Sequence, residues 1–218
     1  MCSSDLVLAV QGQVVPATNA DVRLWAELED GQRIEGESQI GHAPCPIVRL
    51  GCTPERPPAL PRALEAIANA DLIVLGPGSL YTSLLPNLLV PELVSAISSS
   101  KAPRLYICNL MTQPGETDGL DVGGHLRAIE AQLASLGVEQ RLFGAVLAQE
   151  DLADSNLVDL YKLHGAEPVT CKASILKEQG YEVILAPLKG ARPSATLRHE
   201  PRSVAKEVIR YYRKHRRD

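Results

Sequence analysis

Aromatic residues are scarce in this chain: one tryptophan, one phenylalanine and six tyrosines make up 4% of 218 residues. That leaves little from which to build a flat stacking pocket, or a base-stacking platform for single-stranded nucleic acid. The five cysteines (Cys2, Cys45, Cys52, Cys108, Cys171) are odd in number and contain no C-x-x-C pair, which excludes a disulfide framework and a ribbon-type zinc site. The five histidines are equally dispersed, with no metal-ligand spacing on one element. No apolar run approaches the roughly 18 residues of a membrane helix, and no basic region precedes the short apolar run at the start. Neither a membrane span nor a secretory signal is expected, and a cytoplasmic location follows by default. There is no excess of positive charge either: the net charge of −4 argues against a general nucleic-acid role, although the stretch from Arg202 to Arg217 is locally basic.

What is present is a hydrophobic content of 45%, enough for a substantial core in one domain. Val22, Leu24, Ala26 and Leu28 alternate with polar neighbours, Asp30-Gly31 is a two-residue turn signal, and Arg33 to Ile40 continues as a second run. Residues 1–43 therefore read as a β-hairpin segment, and Pro44 to Pro61 as a stiff, Pro-rich surface connection. From residue 62 to 218 the rhythm is helix, strand, helix, strand. Leu60, Ala63, Leu64 and Ile67 fall at helical spacing, and Leu72 to Leu75 is a short, wholly apolar run typical of a buried parallel strand. Further strands are expected at Leu105 to Cys108, Leu142 to Leu147 and Val183 to Leu185. Helices are expected at Pro91 to Ile97, Leu126 to Leu136, Ser155 to Leu163 and Pro201 to Tyr212. The fold class is α/β: a Rossmann-like, doubly wound, mostly parallel sheet with an added hairpin.

Two of the strands end in loops rich in small and polar residues, the arrangement with which open α/β sheets form a crevice at the carboxyl ends of their strands. The first loop is Gly76-Pro77-Gly78-Ser79. Gly76 and Gly78 permit close backbone approach to a phosphate, and Ser79 can cap the following helix, whose free amides favour an anion. The same sequence also suits a tight turn. The second loop places Asn109, Thr112, Gln113, Glu116 and Thr117 after a buried strand. Such groups either meet a ligand or satisfy the loop's own backbone.

The run Gly76-Pro77-Gly78-Ser79-Leu80-Tyr81-Thr82-Ser83-Leu84-Leu85-Pro86-Asn87-Leu88, followed by Cys108-Asn109-Leu110-Met111-Thr112-Gln113-Pro114-Gly115-Glu116-Thr117, closely resembles the gluconeogenesis factor family, which shares a superfamily with the 2-phospho-L-lactate transferases. The resemblance runs from about Leu8 to Leu197-Arg198-His199-Glu200 and the last helix, and so matches the carboxyl-terminal two-thirds of a family member. The family's opening G-G-G-T-G turn and acidic Asp-Asp-Gly-Gly-Ser-Ser segment are missing from these residues, so the amino-terminal βα unit is expected to be absent. A sheet lacking that strand is expected to be prone to association, as a homo-oligomer.

The resemblance implies a bacterial regulator that binds a nucleotide sugar of the UDP-N-acetylglucosamine kind. It also implies support of cell-wall synthesis and cell shape during gluconeogenic growth, through a protein partner. It carries over Gly76, Gly78, Ser79 and Asn109 near the nucleotide or its phosphates, Thr112 nearby, and Tyr161 and Arg198 for the nucleotide sugar. Arg198 also has a direct rationale, because a guanidinium grips a diphosphate bidentately, although a surface ion pair with Glu200 is the plain alternative. Tyr161 shares its helix with Leu157, Leu160 and Leu163 and can equally be an amphipathic core residue. Asp151 and Asp154, beside Glu150, either cap a helix or hold magnesium on a diphosphate, the one cofactor in view. His125 and His199 lack a visible nucleophile partner, and no acid–base pair stands out, which favours a binding protein over an enzyme. The alternative is a magnesium-dependent transferase passing a phospholactyl group to a deazaflavin acceptor.

Overall fold

The computed structural model describes residues 12–150, 156–190 and 197–216. A four-stranded parallel sheet runs in the order β4 (Ile73–Leu75), β5 (Arg104–Ile107), β6 (Ala145–Gln149), β7 (Glu182–Ala186). Tyr106, Cys108, Val146 and Ala148 point to one face of it, and Leu105, Ile107, Ala145 and Leu147 to the other. Both faces are buried at the central strands β5 and β6, as continuous apolar strands require, whereas the edge strands leave Val74 and Leu185 exposed.

The first face packs against helices that lie between the strands. These are the π-helical turn Leu80–Leu84 continuing into α3 (Leu85–Leu88), then α4 (Pro91–Ser99), and α5 (Val122–Ser135) with Leu126, Ile129 and Leu133 inward. The second face is covered by α8 (Pro201–His215), which lays Val204, Val208 and Tyr211 on it. Fully buried side chains such as Leu105 and Leu147 contribute roughly 1.5–3 kcal/mol each, and the half-buried Val204 and Val208 less. Three shorter helices complete this layer structure: α2 (Pro61–Ala68), α6 (Asn156–Leu163) and α7 (Ala173–Glu178). Residues 173–178 carried no helix signal that the periodicity detects.

The basic end of the chain has a structural partner. Glu200 caps α8 by accepting from Ser203 N at 2.6 Å, and Pro201 opens the helix. In its last turn Lys214 and His215 reach Glu182 of β7 at 2.7 and 2.8 Å, and positive charge there complements the helix dipole.

The expected hairpin is present as β1 (Arg23–Leu28) and β2 (Arg33–Glu35), paired antiparallel. It differs from expectation at both flanks. The run to Ile40 does not stay extended: after Glu35 it turns into α1 (Glu37–Ile40), which drives Ile40 wholly into the core. The segment read as a Pro-rich connection contains a third strand, β3 (Ile47–Thr53), antiparallel to β1. Prolines at its ends masked a run whose Ile47, Leu50 and Cys52 are buried. β6 begins at Ala145 rather than Leu142; Leu142 and Phe143 are buried ahead of the strand.

Among the described residues no single helix is long and apolar enough to cross a membrane.

Candidate functional site

The carboxyl ends of β4 and β5 open into a cleft of about 670 Å³. Its walls come from the first loop (Pro77, Gly78, Ser79), the second loop (Asn109 to Gln113), Tyr161 of α6, and Leu197, Arg198 and His199. Of the residues singled out in the sequence, Gly78, Ser79, Asn109, Thr112, Tyr161 and Arg198 thus line one cavity, although 120 positions separate Gly78 from Arg198 in the chain. Gly76 lies beneath it: its φ is +87°, and a Cβ there would meet the Ile107 carbonyl oxygen at 2.7 Å.

The two loops brace each other. Asn109 accepts from Gly78 N at 3.3 Å through Oδ1 and donates back to Gly78 O at 3.0 Å through Nδ2, the exchange that an antiparallel backbone pair makes. Gln113 Nε2 donates to Ser79 Oγ at 2.7 Å. Ser79 therefore does not cap the following helix with its side chain, as its sequence position suggested; its hydroxyl is held by the second loop instead. Glu116, nearly buried, accepts from Tyr81 N at 3.2 Å and Thr82 Oγ1 at 2.7 Å, which ties the second loop to the start of the helical segment. Thr117 Oγ1 accepts from Gln113 N. Thr112 is 4% exposed, and its hydroxyl accepts from Glu167 N at 2.8 Å, fastening the loop to the segment after α6.

The opposite wall is an arm, Leu197 to Glu200. Tyr161 Oη accepts from Leu197 N at 3.0 Å, so this tyrosine is neither pure core nor pointing at water alone. His199 Nε2 donates to the Cys108 carbonyl at 3.1 Å, which fixes the neutral tautomer with Nδ1 unprotonated. Burial pushes the His199 pKa below the ordinary histidine value, opposed in part by that carbonyl. Because Glu200 is engaged at the start of α8, it is not the partner of Arg198. Arg198 is exposed at the cleft, and no ion pair to it is recorded among the described residues. Cys108 is wholly buried beneath the loop, and burial pushes its thiol up to about 12, which disfavours the thiolate.

His125 sits elsewhere, in the core at the start of α5, with Nδ1 donating to Asp121 O at 3.0 Å and Nε2 buried without a partner. Asp121 caps that helix through Gly124 N at 2.7 Å, a role the sequence reading did not assign. Asp151 and Asp154 lie outside the described residues. No group of three or more histidine, cysteine or acidic side chains placed to hold a metal occurs among the described residues.

A second residue escaped the sequence reading. Gln149, the last residue of β6, is 9% exposed and accepts from both Leu188 N and Lys189 N. The available signal was a lone amide closing an apolar run, Ala145 to Gln149.

A parallel sheet with a polar cleft at its carboxyl ends, walled by a glycine loop and an exposed arginine, defines an α/β protein with a candidate ligand crevice in the usual place for this class. Comparison with known proteins narrows the class. The family model described as 2-phospho-L-lactate transferase CofD matches residues 3–189, and the chain belongs to that family. A Nostoc relative is 47% identical over 212 residues, 97% of this chain and 46% of its own length. The Bacillus subtilis protein named gluconeogenesis factor is 39% identical over 203 residues, 93% of this chain and 62% of its own. The crystal structure of a UPF0052 family protein from Bacillus halodurans superposes with a TM-score of 0.86 at 39% identity, covering 95% of this chain and 64% of that one. The chain thus spans about half to two-thirds of the length of these relatives.

Proposed function

We propose that this chain is a nucleotide-sugar-binding regulatory protein of the gluconeogenesis factor type, its cleft taking a ligand of the UDP-N-acetylglucosamine kind. The observation that carries the reading is Arg198: an exposed arginine with no carboxylate partner among the described residues, lining a cleft whose other polar side chains are amides, hydroxyls and the His199 imidazole. A guanidinium offers a diphosphate a planar fork of donors. Gly78 brings backbone close to the same space, and Leu110 and Met111 supply apolar surface for a base or sugar face. In this reading Gly76, Gly78, Ser79 and Asn109 shape the phosphate side, Thr112 holds the second loop, and Tyr161 and Arg198 form the far wall. The protein acts in the cytoplasm on a partner in cell-wall synthesis, supporting cell shape during gluconeogenic growth, and self-associates.

Calorimetric titration of the chain with UDP-N-acetylglucosamine, with and without magnesium, tests the reading beside Arg198→Ala. Saturable binding weakened at least about tenfold in the variant is expected, the scale of one charge-assisted contact. No binding by a cooperatively folded chain, or equal binding by the variant, would overturn it. The match to the transferase family model favours one other reading, phospho-group transfer to a deazaflavin acceptor; it requires magnesium-dependent product formation.

A further inference from the structure

We propose that Gln149 is a positioning residue for the cleft, its side-chain oxygen fixing the turn against which the Arg198 arm is built. The expected effect on ligand affinity rests on the nucleotide-sugar reading; the expected effect on the backbone does not.

Along β6, Ala145 and Leu147 point to the face covered by α8, and the alternation of a strand sends Gln149 the same way. A buried amide at the end of such a row is costly unless it is bonded. Gln149 Oε1 accepts from Leu188 N at 2.8 Å and from Lys189 N at 2.9 Å. One oxygen thereby holds two successive backbone amides as the chain leaves β7. That turn is the template for the arm. Glu200 N donates to Leu188 O at 2.6 Å, Lys189 and His199 form an antiparallel bridge, and Gly190 N donates to Arg198 O at 3.3 Å. With no ion pair to its guanidinium among the described residues, Arg198 takes its place in the cleft from this backbone. Gln149 is therefore linked to Arg198 through the backbone of Leu188, Lys189 and Gly190, and it is not among the residues that line the cleft.

The test compares Gln149→Leu, which keeps the shape and removes the acceptor, with Gln149→Glu, whose carboxylate still accepts from both amides. Hydrogen exchange read residue by residue in the full chain is expected to accelerate at Lys189, Gly190 and Glu200 in the leucine variant. Exchange in α5 should stay unchanged, and the glutamate variant should restore protection. Affinity for UDP-N-acetylglucosamine is expected to fall about tenfold in Gln149→Leu and to recover in Gln149→Glu. In the double variant with Arg198→Ala, the leucine change should add nothing further. Unchanged exchange in Gln149→Leu, acceleration spread evenly through α5, or additive losses in the double variant would each overturn the proposal. If the wild-type chain fails to bind the nucleotide sugar while the exchange pattern appears, the ligand reading fails and the positioning role stands.

Discussion

Replacing Asn109 tests whether the crevice is held open by side-chain bonding between its two loops. In Asn109→Ala three contacts are lost: Gly78 N to Oδ1 at 3.3 Å, Nδ2 to Gly78 O at 3.0 Å, and Nδ2 to Gln113 Oε1 at 3.3 Å. Neutral hydrogen bonds contribute about 0.5–1.5 kcal/mol each, and two of these are long, so the loss is expected near 2 kcal/mol. For a domain of this size that corresponds to a fall of about 4–8 °C in melting temperature. Asn109→Asp discriminates further. Two of the three contacts are donations from Nδ2, and a carboxylate would put an oxygen against Gly78 O and Gln113 Oε1 instead. The aspartate variant should therefore melt below the alanine variant at neutral pH, by thermal unfolding followed with circular dichroism and by urea titration. An aspartate variant that melts at or above the alanine variant would refute the reasoning, because donation from Nδ2 would then not be what holds the loop.

Gly76→Ala should cost about 2–4 kcal/mol, since it combines a positive φ with a Cβ placed 2.7 Å from the Ile107 carbonyl oxygen, and denaturant midpoints will read it. Gly51→Ala drives a methyl into Trp25, whose ring atoms lie 2.1–2.6 Å from the added Cβ. Because Trp25 is the only tryptophan, its fluorescence should shift as the three-stranded sheet loosens, with a loss of about 1–3 kcal/mol by urea unfolding. Burial lowers the pKa of His125 below its ordinary value, and among the described residues its Nε2 has no acceptor to share a proton with. The unfolded chain then binds more protons than the folded one, so stability is complete above the unfolded value near 6.5 and is lost as pH falls below it. Melting temperatures from pH 7.5 to 5 should decline, and the decline should be shallower in His125→Phe; an identical slope in that variant would count against it. His199, also lowered by burial, contributes in the same direction.

The parallel sheet was legible because its strands are short, mostly apolar and spaced by helical stripes, and β4, β5 and β7 fall within a residue or two of their expected places. β3 was not, because prolines on both sides of Ile47–Thr53 dominate local composition while the strand's identity depends on pairing with β1, 19 to 30 residues away. For the same reason Gln149 gave little local signal. Its partners, Leu188 and Lys189, are 39 and 40 residues on, and only the register of β6 with β7 brings them to it. The cleft residues were found by motif, yet their division of labour was invisible, since whether Thr112 faces a ligand or Glu167 is decided by tertiary contact.

That division bears on how the site is to be dissected. The second loop spends Asn109, Gln113, Glu116 and Thr117 on the first loop, the helical segment or itself, and Thr112 on the segment after α6. Substitutions there change the shape of the cleft and the stability of the fold together, so weakened ligand binding in them identifies no contact. The arm is different. Arg198 is exposed and carries no recorded ion pair, so removing its guanidinium perturbs little besides what enters the cleft. Tyr161 lies between the two cases, because its hydroxyl accepts from Leu197 N while the residue also lines the cavity. Tyr161→Phe keeps the ring and removes that acceptor, and should loosen the arm without unfolding the helix. A pure contact role predicts that its binding loss adds to that of Arg198→Ala. A role exercised through the arm predicts that the loss disappears once Arg198 is gone.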